Sequence, residues 1–364
     1  MKKAIAALLS MFVGIFGYAI VDETIEARVS NLEAAVSSQQ EEIESLHHIG
    51  KYTPSSIGPT TGYTGPTSQT AVSPETIPDF PVSGMCGDYI KWELTADGKL
   101  TISGKGDYYS ESPEYLKYRK YITSAVIENG ITQIGDSAFY VCTGLTSVTI
   151  GNSVTSIGHA AFEACTGLTS ITIPDSVTSI GGYAFWSCTG LTSITIPDSV
   201  TSIIYGAFCG CAGLTSITIP NSITIIGDKA FSGCDGLTSV TIGNSVTRIG
   251  NNAFEYCTGL TSVTIPDSVT SLAGSAFYNC TSLETVKLGK NLNSIGQQAF
   301  CNCSELKTVY VGDKITYIDR EAFAKCGKLT DVYYAGTEEQ WKAINIGESN
   351  ARLTNAKIHY KSSF

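Results

Sequence analysis

Charge is scarce in this chain. Charged residues make up 15% of its 364 residues, well below the ~25% usual in soluble domains. Clusters of Lys and Arg are missing, and the net charge is −10; both exclude a surface that tracks nucleic-acid phosphates. The acidity itself reads as solubility. Histidine is nearly absent: His47, His48, His159 and His359 are the only four, and all read as solvated side chains. No Cys/His metal spacing, Ser/His/Asp set or repeated pair of carboxylates assembles around them. A metal, a cofactor and catalysis are therefore not expected, and the chain reads as a non-enzyme.

What the sequence has in abundance is repetition. Nine phenylalanines stand 23 residues apart, from Phe139 through Phe162, Phe185, Phe208, Phe231, Phe254, Phe277 and Phe300 to Phe323. Each has an alanine before it and a cysteine three residues after it. A fixed period of this length means a repeat solenoid, in which each unit buries its apolar face only against its neighbours. One unit reads Leu168, Ile171, Ile173, Val177, Ile180, Phe185, Cys188 on the inward side. Its Leu-x-x-Ile-x-Ile segment is a short strand, ended by Pro174, which has no N–H for the ladder. Ten such strands, opening from Ile122 to Leu329, should stack into a parallel sheet on one face.

Around the repeats the chain changes character. Lys2 and Lys3 precede an uncharged run from Ala4 to Val21, so residues 1–21 read as an export signal peptide or, given the length of the run, an uncleaved signal anchor. The rest of the chain would then lie outside the cytoplasm, held at the membrane or secreted. Residues 22–50 carry Ile25, Val29, Leu32, Val36, Ile43 and Leu46 in heptad spacing, a short coiled coil able to join two or three copies. Residues 51–84, rich in Pro, Thr, Ser and Gly, read as a flexible linker. Residues 85–121 form an N-terminal cap around a hairpin, with Trp92, Leu94, Leu100 and Ile102 flanking Asp97-Gly98. Residues 122–334 are the repeats. Residues 335–364 form a C-terminal cap: a capping box at Thr337-Glu338-Glu339-Gln340 opens a helix with Trp341, and a strand closes it.

The repeated unit Leu-Thr-Ser-Ile-Thr-Ile-Pro-Asp-Ser-Val-Thr-Ser-Ile-Gly, followed by Ala-Phe and Cys, resembles the bacterial surface leucine-rich repeat family called BspA-like. Cys86-Gly87-Asp88 with Trp92 resembles the segment that precedes such repeats, and Tyr333-Tyr334-Ala335-Gly336 with Trp341 resembles their ending. The resemblance covers residues 84 to about 360. It implies a right-handed leucine-rich-repeat coil on a cell surface that adheres to proteins or other cells, without catalytic residues.

Two classes of residue remain as candidates for chemistry. Nine of the twelve cysteines occupy the ladder position, from Cys142 to Cys326; they read as buried free thiols packed as small hydrophobes. The redox state of Cys86, Cys209 and Cys301 stays open. The ligand-binding candidates lie where the repeats stop being identical. Exposed strand positions carry Ser and Thr in the central units, as in Ser170/Thr172 and Ser193/Thr195. Towards the C-terminus they become Lys287, Tyr310, Asp331 and Tyr333. A second varied strip lies in the turns: Tyr183, Trp186, Tyr205, Tyr256 and Tyr278. Tyrosine offers a large contact area with a polar tip, suited to protein ligands. The expected function is an adhesin-like interaction module. The alternatives are a structural spacer or self-associating surface component and, further off, an ice-binding solenoid built on the Ser-x-Thr array.

Overall fold

The computed structural model describes residues 78–108 and 113–364. The expected export segment and coiled coil, and most of the expected linker, lie outside the described residues. The repeats form a solenoid, as the period requires. Eleven short strands stack in one column, from Ser124–Ile127 through Ser170–Thr172 and Ser193–Thr195 to Asp331–Tyr334 and Lys357–His359. Equivalent residues face each other across neighbouring coils: Ser193 pairs with Ser170 and Thr195 with Thr172. The eleventh strand is the one expected in the C-terminal cap. Along the central strands the residues alternate between buried Ile or Val and exposed Ser or Thr, the period-two pattern of a sheet with one face in the core.

A second column of strands was not evident in the sequence. Pairs such as Ser156–Ile157, Ser179–Ile180 and Arg248–Ile249 bridge the coils on the flank, a few residues beyond the front strands. The column is interrupted once, between Ser179–Ile180 and Ser202–Ile203. Ile204 stands there where most coils have glycine. The usual glycine permits close approach between coils: a Cβ on Gly181 would lie 2.5 Å from the carbonyl carbon of Gly158.

The third side of each coil is the Ala-Phe turn. Residues two before and two after each phenylalanine hold a left-handed backbone. Examples are Ser137, Ala160 and Tyr183 before it, and Val141, Ala164 and Tyr256 after it, with φ between 52° and 58°. That conformation is unfavourable for most L residues. It recurs because alternate N–H groups then point along the solenoid axis. Ser137, Phe139 and Val141 donate to the carbonyls of His159, Ala161 and Glu163 in the next coil, at 2.7–2.8 Å. Inside, the phenylalanine rings stack face to face with centroids 5.0–5.3 Å apart.

A one-directional column of this kind leaves carbonyls bare at its start and N–H groups bare at its end, and buried polar groups need partners. The caps supply them. Before the first coil a 3₁₀ helix, Glu114–Tyr121, places the buried Tyr115 hydroxyl 3.0 Å from the Ala138 carbonyl and 2.7 Å from the Tyr108 hydroxyl. At the far end buried Asn350 accepts the Phe323 N–H at 2.9 Å and donates to the carbonyls of Asp319 and Gly347.

The N-terminal cap starts earlier than its hairpin. Strand Val82–Met85 pairs antiparallel with Ile90–Leu94, taking residues from the end of the expected linker. The hairpin itself is as the Asp-Gly signal suggested, with Trp92 opposite Ile102 and Leu94 opposite Leu100, all buried. Gly98 supplies the positive φ of 83° at its turn. Strand Lys99–Gly104 then runs parallel to Ser124–Ile127 and closes the front column. At the other end the capping box at Thr337 forms, opening a helix over Glu338–Lys342. Trp341 packs edge-on against Tyr334.

Replacing Asn350 with alanine would strand the Phe323 N–H and take a donor from the Gly347 carbonyl, while the Asp319 carbonyl keeps the Ala322 N–H at 3.3 Å. Urea unfolding should register a loss of roughly 1–3 kcal/mol, the cost of one orphaned buried group. A loss below ~0.5 kcal/mol, the scatter of ordinary surface changes, would refute this account of the cap.

Candidate functional site

The front column fixes where its outward side chains stand. Tyr310 and Tyr333 occupy the same position on adjacent strands, and Tyr333 is paired in turn with His359 on the last strand. Lys287 precedes Tyr310 in the same register. The four side chains form one strip. The Tyr310 and Tyr333 rings stack at 4.9 Å and 16°, and the Tyr333 and His359 rings at 4.4 Å and 9°. The Lys287 ammonium sits over the outer face of this stack, 5.3 Å from the Tyr310 centroid, a cation–π contact.

Asp331 completes the group from the neighbouring position on its strand. Its carboxylate accepts a hydrogen bond from His359 Nε2 at 2.8 Å and another from the Thr330 hydroxyl at 2.8 Å. These two contacts, His359 first, hold the Asp331 carboxyl below the usual carboxylate range. The structure thus corrects the expectation for His359. It is a half-buried member of the strip rather than a solvated side chain, because parallel pairing places it directly beside Tyr333 and Asp331. Phe364, which sequence reasoning also missed, lies with its ring 5.3 Å from Tyr310. A histidine in the final strand, directly after the inward Ile358, was the one available signal.

The stack has a chemical consequence. Ring faces in Tyr310 and Tyr333 are occupied by one another, by His359 and by Lys287. What remains for a ligand is ring edge, phenol hydroxyl and ammonium, which suits hydrogen bonding to a polar protein surface more than flat stacking on a ligand ring.

The turn candidates fall into two separate groups. Tyr183 contacts His159, Trp186 and Tyr205 at 5.1–5.6 Å, with rings tilted or edge-on. Burial, and then a hydrogen bond with Tyr205, pushes its hydroxyl to a raised pKa. Lys229 lies over the Tyr205 ring at 6.0 Å. Tyr256 and Tyr278 form an edge-on pair further along, at 5.7 Å. Trp186 and Tyr256 are exposed, while Tyr183, Tyr205 and Tyr278 are half-buried. Nothing joins these groups to the front strip.

The cysteines are all free thiols. Each ladder thiol from Cys165 to Cys326 points at the carbonyl of the phenylalanine 26 residues earlier, at 3.0–3.3 Å. Burial raises their pKa values, up to about 12 at Cys142, Cys188 and Cys326. Cys86 and Cys301 are also buried, and only Cys209 is part-exposed. No group of three or more His, Cys, Asp or Glu among the described residues could hold a metal ion.

Two outcomes follow. Thiol labelling of the native chain at pH 8 should mark Cys209 before any other cysteine, because reaction needs both exposure and thiolate; rapid labelling of a ladder cysteine would contradict the packing. For Asp331, a lowered folded pKa means that the His359 contact contributes fully above the unfolded value of ~3.9 and is lost as pH falls through the folded one. Carbon-13 NMR of the Asp331 carboxyl should give a midpoint below ~3.9 that rises in His359→Phe; an unmoved midpoint would show that the histidine does not hold it.

Comparison with known proteins bears on this geometry. The model of the BspA type leucine rich repeat region matches residues 112–238 and 224–344, with six copies. A leucine-rich repeat protein from Eubacterium ventriosum superposes with a TM-score of 0.50 at 24% identity, covering 78% of this chain and 96% of its own. A leucine rich cell surface protein from Faecalibacterium prausnitzii gives a TM-score of 0.39 at 27% identity, covering 79% and 99%. One from Bacteroides ovatus, a leucine-rich repeat protein, gives 0.43 at 22%, covering 78% and 99%. The first of these supports the fold and nothing finer. No functionally curated protein matches the chain.

Proposed function

We propose that this chain, which belongs to the BspA type leucine-rich repeat family, is an exported interaction module that binds an extracellular protein or cell-surface ligand through the C-terminal part of its front sheet. The observation that carries this reading is the Lys287–Tyr310–Tyr333–His359 strip. It breaks a column that is threonine from Thr149 to Thr264, and aromatic and cationic side chains of this kind are the usual anchors of protein interfaces. The export segment over residues 1–21 and the heptads over 22–50 support display outside the cytoplasm and more than one copy per assembly. Multivalency would then raise the avidity of individually weak contacts. The aromatic groups at Tyr183, Trp186 and Tyr205, and at Tyr256 and Tyr278, are secondary contact candidates.

A spacer role is the second reading. It is favoured by the uniform Ser/Thr face of the central coils; just before each strand a further threonine spends its hydroxyl on the backbone of the previous coil, as Thr192 does on Thr169 and Thr238 on Thr215.

The test is surface plasmon resonance of the purified full chain against immobilised extracellular-matrix proteins and bacterial surface proteins. Saturable binding to at least one is expected. The double variant Tyr310→Ser/Tyr333→Ser should weaken it at least about tenfold, since interface anchors are worth ~2 kcal/mol or more, with the urea midpoint little changed. Equal binding by the variant would remove the strip from the interface. Absence of binding to every surface would favour the spacer.

A further inference from the structure

The segment after the last strand does not leave the solenoid. Lys361 donates its N–H to the Gly336 carbonyl at 2.9 Å, and Ser362 donates its N–H to the Tyr334 carbonyl at 3.0 Å. The Ser362 hydroxyl donates to the His359 carbonyl at 2.8 Å. Those three bonds turn the chain back towards the front sheet. Phe364 then lies against Tyr310, with ring centroids 5.3 Å apart and planes at 56°. Tyr310 is two strands away from His359 in the sheet, so the segment reaches across the strip rather than along its own strand.

We propose that residues 361–364 are a built-in occupant of the strip, a strap that covers the Tyr310 end until a ligand displaces it. This rests on the reading of the strip as a binding surface. Phe364 fills the side of Tyr310 that the Tyr333 and Lys287 contacts leave open. The strap also indicates what displaces it: a polar peptide segment whose aromatic side chain meets Tyr310 at a tilt, as Phe364 does, rather than stacking flat on it. A tilted ring pair of this kind favours the closed arrangement only roughly two- to tenfold. That is enough to shield Tyr310 most of the time and too little to bar a ligand with several contacts.

Phe364 is half-buried and lies outside the core, so Phe364→Ala leaves the fold intact. Hydroxyl-radical footprinting with mass spectrometry reads the side-chain accessibility of each tyrosine without any ligand. Tyr310 is half-buried with Phe364 in place, so its oxidation in the full chain should rise in Phe364→Ala by up to roughly tenfold, the ceiling that the closed fraction sets. The rate at Tyr256, exposed and remote from the strap, should stay unchanged as the control. Equal Tyr310 rates in the two proteins would overturn the strap. Where a ligand is found by surface plasmon resonance, Phe364→Ala should bind it more tightly by a similar factor, and unchanged or weaker binding would overturn the occluding role. Failure to find any ligand would count against the strip as a binding surface, whereas the footprint decides the strap on its own.

Discussion

Every other feature depends on the hydrogen bonds that join one Ala-Phe turn to the next. They run one way along the axis, from N–H groups in one coil to carbonyls in the following one. That direction demands the alternating left-handed residues around each phenylalanine. It also fixes the spacing at which the phenylalanine rings meet. A one-residue change in the length of any coil would leave these donors without acceptors. The strictness of the 23-residue period is therefore a backbone requirement first and a packing requirement second. The cysteine position obeys the same rule. Its side chain must be small and apolar, and a weak donor there reaches the phenylalanine carbonyl that the backbone already uses.

Much of this was readable before any coordinates, and the reasons are specific. The inward Leu, Ile, Val, Phe and Cys recur at one period, so the solenoid and its front column followed from burial alone. The Asp97-Gly98 turn and the Thr337 capping box are local chemistry with short-range signatures. The left-handed positions were hidden because glycine marks only a few of them, at Gly206, Gly210 and Gly233. Elsewhere Ser, Val, Ala, Tyr, Lys, Asn, Gln and Glu are forced into the same conformation by their neighbours. The flanking column escaped notice because two residues per strand leave no alternation to detect. The polar ends of the solenoid were equally silent. Tyr115 and Asn350 sit outside the repeat, and their role exists only once the direction of the turn hydrogen bonds is known.

The candidate strip divides along the same line. Lys287, Tyr310, Asp331 and Tyr333 were found because they break a periodic column. His359 belongs to no full repeat, so periodicity gave it no place, and Phe364 reaches Tyr310 only through a reversal of the chain. Resemblance identified the coil and its ends. It could not say which of the varied positions would meet.

The break in the repeat has a physical character beyond its composition. In the central coils the residue after the strand-opening leucine is threonine, and its hydroxyl bonds to the backbone of the previous coil. At Glu284 and Lys307 that position holds an ion pair instead, with a 3.0 Å separation and both side chains about half exposed. Glu305 and Lys328 form a similar pair between the same coils at 2.6 Å. Exposed pairs of this kind contribute only ~0–1 kcal/mol, so they add little that the threonines did not already supply. The distribution of cations follows suit. Between residues 122 and 280 Lys229 and Arg248 stand alone against nine carboxylates, whereas residues 281–364 hold eleven Lys and Arg. Stability does not require that change. A surface that departs from its own repeat without gaining stability is what the proposed binding role would require, and Lys287 is the cation that this departure sets on the Tyr310–Tyr333 stack.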